Sequence, residues 1–198
     1  DGQPDLVPTR VVYEGTSLGG VLGSAFVAGA SALHLDLRGA YLQVSGAGMI
    51  TTLAHSSLWE GLYSNILPKA ADGAEAMWLL AVVGQRIERG DALSLAHRIT
   101  GSVVVSYGLD DEVVPNQATL ALAEVARLPV LNAVLRGPDV AHLSYAGLAH
   151  PARVPRDGQG LLQLRIRRSG AVPLDLETHL TFLDAADAEL RSAWLAGL

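Results

Sequence analysis

The chain has 198 residues, enough for one domain or part of one; 49% are hydrophobic, 17% charged and 5% aromatic, and the net charge is −6. That balance predicts a sizeable, mostly aliphatic core and argues against nucleic acid as a partner, since the one basic cluster, RIRR at 165–168, alternates with Leu164 and Ile166 as a strand with one charged face does. The absence of cysteine excludes disulfides, thiolate metal sites and cysteine nucleophiles, no stretch is long and apolar enough for a membrane span, and DGQPDLVPTR reads as a loop entering a strand, not a signal peptide.

The first element is a strand at about 10–14, from the β-branched and aromatic run Val11, Val12, Tyr13. A proline-free run from 18 to 30 predicts a helix. Ser17 falls on the join, inside VVYEGTSLGGVLGSAF. A chain that turns from strand to helix within one or two residues forces a positive φ there and demands small neighbours across the turn. Gly15 and Gly19 are expected to meet that demand, and Gly20 to let the helix lie close to the sheet. The hydroxyl then stands beside a helix N-terminus, a place for a nucleophile and the oxyanion it generates. A packing turn is the bland alternative. A phosphate cradle fits less well, because neither GxxxxGK[ST] nor GxGxxG is present at this helix.

A strand comes next at about 40–45 (AYLQVS). Residues 49–99 hold several helical stretches, and Trp59, Tyr63, Met77 and Trp78 there either line an apolar cleft or form the small core of an insertion. The short apolar run SVVVSY at 102–107 predicts a parallel strand covered on both faces. A helix is expected at 116–127, with Asn116 as its N-cap and Pro129 beyond its end. A further strand lies at 131–136, at 161–168, or at both. Residues 137–160 are Gly- and Pro-rich and form a long excursion. The last helix spans about 178–196, with Leu180, Leu183, Ala186, Leu190, Ala193 and Leu195 near helical spacing. Strands alternating with helices predict an α/β fold built on a mainly parallel sheet.

A serine nucleophile needs a base, and the base an orienting carboxylate. In SYGLDDEVVPNQA at 106–118, Asp110 and Asp111 come after a strand end and so face the same sheet edge as Ser17; the alternative is that both are turn residues. Six histidines are candidates for the base. His179 comes after the last strand on the correct edge. His142 and His150, in the excursion, are reserves. His34 sits in a helix-to-strand connection at the wrong end of its strand, His97 in a helix leading into the strand at 102, and His55 in the insertion. No two histidines have HxxxH or HxH spacing, so no metal site is expected.

The order serine, acid, histidine resembles the α/β-hydrolases. GTSLGG at 15–20 is similar to their nucleophile elbow, and YGLDDEVVP at 107–115 to their acid loop, an alignment that selects Asp111 over Asp110. DALSLAH at 91–97 looks like the helix before their acid strand, and ETHLTFLDAA at 177–186 like their histidine loop and closing helix. The resemblance implies Ser17 as nucleophile, His179 as base, Asp111 as orienting acid and the Leu18 N–H as one oxyanion donor. It also implies a cap-like insertion at about 49–90, no cofactor, and a small carboxylic ester as substrate. Peptidase, thioesterase or acyltransferase chemistry would use the same three residues, and a catalytically silent binding module is the reading from another class. In that family four strands and a second oxyanion donor precede the elbow. Residues 1–198 are therefore expected to be the C-terminal part of one domain, whose N-terminal half comes from the same polypeptide or a second chain.

Overall fold

The computed structural model describes residues 11–30, 33, 35–58, 61, 65, 73–131, 159–164 and 174–198. Most of the 137–160 excursion, residues 132–136 of the strand read at 131–136, residues 165–168 of the strand read at 161–168, and Trp59, Tyr63, His34, His142 and His150 lie outside these residues. Among the described residues four strands, β1 (Val11–Thr16), β2 (Leu37–Gln43), β3 (Ser102–Gly108) and β4 (Gly160–Leu164), form one sheet in the order β1-β2-β3-β4, with every pair parallel. The helices with both ends described are α1 (Leu18–Ala30), α2 (Met49–His55), α3 (Gly73–Ile87), α4 (Ala92–Leu95), α5 (Asn116–Val125), α6 (Leu174–His179) and α7 (Ala185–Gly197). Among the described residues, no helix is long and apolar enough to cross a membrane.

Both faces of the sheet are covered, which is why its central strands read as unbroken apolar runs. All seven residues of β3 are buried. Alternation sends Ala40, Leu42, Val103, Val105, Tyr107 and Leu161 to one face, with Val27 and Ala28 of α1 and Leu122 and Ala123 of α5. The residues between them, Tyr41, Val104 and Leu162, go to the other face and pack on Leu190 and Trp194 of α7. Burial of this kind contributes roughly 1.5–3 kcal/mol for each large aliphatic side chain.

β2 begins three residues earlier and ends two residues earlier than the sequence suggests. It stops at Gln43 because Val44 turns to φ 43, and its N–H goes sideways to the Ser106 carbonyl at 2.7 Å. A β-branched residue in the left-handed region is held there by its surroundings, and propensity does not reveal it. The last helix is also not continuous. α6 ends at His179, a 3₁₀ turn covers Leu180–Leu183, and α7 starts anew with the Asp184 carbonyl accepting the Ala188 N–H at 3.0 Å.

α1 lies against the sheet where Gly20 lets it. A Cβ on Gly20 would come within 2.8 Å of Ser45 Cβ and 3.0 Å of the Gln43 carbonyl oxygen. Gly19 is different: a Cβ there would meet nothing within 4 Å, so the expected steric demand at that position is absent. Gly20→Val is expected to destabilise the protein by about 1–3 kcal/mol through overpacking. Gly19→Ala should be neutral or stabilising by up to about 1 kcal/mol, through reduced freedom of the unfolded chain. Urea midpoints of the two variants check both values.

Candidate active site

β1 runs into α1 through a single residue, Ser17, at φ 55. That conformation costs a non-glycine residue about 1–2 kcal/mol, so neighbours must hold it. The Ser17 N–H donates to the Gln43 carbonyl on β2 at 2.9 Å, and the Ser17 carbonyl accepts the Val21 N–H at 2.9 Å, opening the helix. A Cβ on Gly15 would sit 2.5 Å from the Gly19 carbonyl oxygen, so the tight approach excludes any side chain at 15. The Tyr13 hydroxyl donates to the same Gly19 carbonyl at 2.7 Å.

The loop after β3 separates its two aspartates. Asp110 is exposed at φ 64; its N–H goes to Asn116 Oδ1 at 2.8 Å, and Asn116 Nδ2 donates to the Gly108 carbonyl at 2.9 Å. Asn116 therefore braces the preceding loop and is not the N-cap, a position taken by Pro115. Asp111 is buried. Its Oδ1 accepts the N–H groups of Val113 at 2.8 Å and Val114 at 3.1 Å, which fixes the carboxylate plane.

His179 is also buried, at the C-terminal end of α6, and the neighbouring Thr178 hydroxyl donates to the Asp110 carbonyl at 2.9 Å. The Phe182 ring stands edge-on to the imidazole, 6.4 Å between centroids. Nδ1 lies 2.9 Å from Asp111 Oδ2, and Nε2 lies 2.8 Å from Ser17 Oγ. A carboxylate only accepts, so a neutral ring carries its proton on Nδ1 and offers the Nε2 lone pair to the serine hydroxyl. An oxygen, an imidazole and a carboxylate in this line are able to take the proton from Ser17 Oγ and stabilise the imidazolium that results. His55 and His97 are exposed and are not part of this group.

A pocket of about 230 Å³ opens beside Ser17. Leu18, Val21, Met49, Thr52, Leu58 and the Val113–Val114 pair line it, and none of them is charged. The Leu18 N–H is a first-turn amide of α1, one of those a helix leaves without an intrahelical partner. Met77 and Trp78 are 67% and 65% exposed on α3, so neither lines this pocket nor forms a core of the insertion. α2, which supplies Met49 and Thr52, is anchored by Asp91: its carboxylate accepts the N–H groups of Gly48 at 2.8 Å and Met49 at 2.5 Å while capping α4 through Leu93 N–H. Among the described residues, no group of three or more His, Asp or Glu is placed to hold a metal.

Sequence reasoning missed one buried carboxylate near the turn. Asp187, in the first turn of α7, is fully buried and accepts hydrogen bonds from the Tyr41 hydroxyl at 3.0 Å and from Gln43 Nε2. Burial raises its pKa above the ordinary carboxylate value, while the bonds from Gln43, Tyr41 and Ser106 and the charge of Arg191 pull the other way. A carboxyl whose pKa is raised by folding adds stability that is fully present below its unfolded pKa. That contribution is lost as pH rises through the folded value. Asp187→Asn keeps the shape and cannot ionise. Its stability relative to wild type is therefore expected to rise between pH 3 and pH 7, and urea unfolding at pH 3, 5 and 7 checks the trend.

No family model and no curated protein matches the sequence. Solved structures do. The Pyrococcus horikoshii acylaminoacyl peptidase in its orthorhombic crystal form superposes with a TM-score of 0.55 at 10% identity, covering 98% of this chain and 24% of that one. An acylaminoacyl peptidase in complex with Z-Gly-Gly-Phe-chloromethyl ketone gives 0.54 at 11% identity, covering 96% and 24%. The chain thus spans about a quarter of the length of either protein. At such identity the likeness concerns the fold alone: the parallel four-strand sheet with its flanking helices is that of the α/β-hydrolases.

Proposed function

We propose that this chain carries the reactive centre of a serine hydrolase that cleaves carboxylic esters with a short, uncharged acyl group. One observation carries the reading: the unbroken line from Ser17 Oγ through His179 to Asp111, with links of 2.8 and 2.9 Å. Ser17 Oγ attacks the ester carbonyl while His179 Nε2 takes its proton. The tetrahedral oxyanion receives the Leu18 N–H. His179 then returns the proton to the leaving alcohol, and a water repeats the sequence on the acyl-enzyme. Asp111 holds the imidazole in the tautomer this requires, and its own plane is fixed by the Val113 and Val114 amides. No cofactor enters any step.

The apolar lining of the pocket beside Ser17 supports the acyl preference. At about 30 Å³ for each water-sized group, 230 Å³ holds roughly seven such groups, a chain of six to eight carbons or one small ring. We also propose that a further strand pairs with β1. Among the described residues β1 is hydrogen-bonded on one side only, to β2, and its first residue Val11 and Leu22 and Phe26 on α1 are exposed apolar side chains. Such an edge is a template for another strand. That strand would belong to an N-terminal half which, in the α/β-hydrolase pattern, also supplies the second oxyanion donor.

In the full polypeptide, a fluorophosphonate probe is expected to label Ser17. Ser17→Ala should abolish labelling and lower ester turnover on the order of 10⁴-fold or more, because the three residues act as a unit. Labelling that survives in Ser17→Ala refutes the assignment. Across a series of p-nitrophenyl esters, kcat/KM should peak at acyl lengths of roughly six to eight carbons and fall sharply for charged acyl groups. Turnover of the matching anilides but not the esters would instead indicate a peptidase.

A further inference from the structure

One buried ionisable group, Asp187, takes no part in the proton transfers at Ser17, yet its neighbours connect it to that turn. Gln43 is the link. Its Nε2 donates to Asp187 Oδ2, while its Oε1 faces Arg191 Nη1 at 3.3 Å and the Thr16 hydroxyl at 2.8 Å. A carboxylate only accepts and a guanidinium only donates, so the carboxamide is oriented from both ends. The Thr16 hydroxyl has to donate to Oε1. The main-chain carbonyl of the same Gln43 takes the Ser17 N–H at 2.9 Å. One residue of β2 thereby grips two consecutive residues of the turn, Thr16 by its side chain and Ser17 by its backbone. Arg191 is placed in turn by Glu14 of β1 at 2.9 Å.

The turn requires such a grip, because Ser17 sits at φ 55, which a non-glycine residue leaves unless restrained. Asp187 also lies eight residues after His179, on the segment that carries the imidazole. A carboxylate at this point joins that segment to the strand pair that ends at the serine. Resting on the hydrolase reading of the same site, we propose that Asp187 is a positioning residue. Through the Gln43 carboxamide it locks Thr16 and the backbone of Ser17 in register with His179. It touches neither substrate nor reacting atoms. What it supplies is an acceptor that keeps Gln43 pointing one way. Asparagine at 187 can still supply that acceptor, because its amide oxygen takes Gln43 Nε2 while the Tyr41 hydroxyl rotates to accept from its nitrogen.

The test uses the full polypeptide, with competent sites counted by fluorophosphonate titration. Asp187→Leu should lower kcat per titrated site by roughly 10- to 100-fold with KM within about twofold, the effect of a small misplacement. Asp187→Asn should stay within about threefold of wild type. Thr16→Val should lower kcat about tenfold, and adding it to Asp187→Leu should cost little more, because the two act through one carboxamide. Unchanged kcat per titrated site in Asp187→Leu, or losses that multiply in the double variant, would overturn the proposal. If Asp187→Leu does not fold, Thr16→Val decides: unchanged kcat overturns the proposal, and a loss confined to kcat supports it. Amide hydrogen exchange provides a readout that does not depend on activity. The Ser17 N–H should exchange at least tenfold faster in Asp187→Leu while the Tyr41 and Val104 amides stay protected. Uniform acceleration across β1–β3 would instead mark a merely structural role. A wild type that hydrolyses no ester refutes the ester-hydrolase reading, and the Ser17 exchange result still settles the role of Asp187.

Discussion

Parallel strand pairing, in one register from Val12 onward, decides where Ser17, Asp111 and His179 can stand. Thr16 lies opposite Gln43, Gln43 opposite Ser106, and Ser106 opposite Leu162; β1 and β2 end on that row, and β3 and β4 run two residues past it, to Gly108 and Leu164. The chain leaves every strand on the same edge: Ser17 emerges after β1, Asp111 after β3, His179 after β4. A slip of one residue in the pairing of β2 with β1 and β3 would turn Gln43 to the opposite face and move its side chain away from the turn. The sheet is thus the ruler against which the 2.8 and 2.9 Å contacts are set.

The same register sorts polarity. Behind the edge the rows are apolar: Leu42, Val105 and Leu161 on one face, Tyr41 and Val104 on the other. At the edge the residues facing α7 become Gln43 and Ser106, and Asp187 comes down onto them. Polar groups buried this deeply are tolerated only where their hydrogen bonds are made, and satisfied networks hold side chains in one arrangement. Rigidity is therefore concentrated beside Ser17, where a left-handed residue has to be kept in place.

Much of this is legible in the sequence, and the failures have physical causes. The strand-to-helix turn can be read because β-branched residues give way to small ones across Ser17, with Gly15 where a Cβ has no room. Gly20 marks a close approach to the sheet, as its position suggests, whereas Gly19 lacks the steric role that symmetry about Ser17 implies. The fold class is carried by alternating apolar runs. Asp187 is invisible because a carboxylate in AADAELR has the look of a solvated helix face; its burial depends on Tyr41 and Gln43, more than 140 residues away. Asn116 looks like a cap on local grounds, but its side chain serves Asp110 and Gly108 in the preceding loop. Choosing among distant histidines needs distances that spacing does not contain. The apolar pocket likewise depends on Leu58 and Val113 converging from different segments, whereas Met77 and Trp78, two of the residues that suggest a cleft, are exposed on α3.

The contact between His179 and Ser17 spans 162 residues. During synthesis at roughly 5–20 residues per second, the serine therefore waits roughly 8–30 s for its imidazole. Throughout that interval its hydroxyl lacks the Nε2 contact, however complete the turn around it. Contacts between residues so far apart in sequence are slow to form. On the hydrolase reading proposed above, a nascent chain stays inert until α6, which carries His179, has docked.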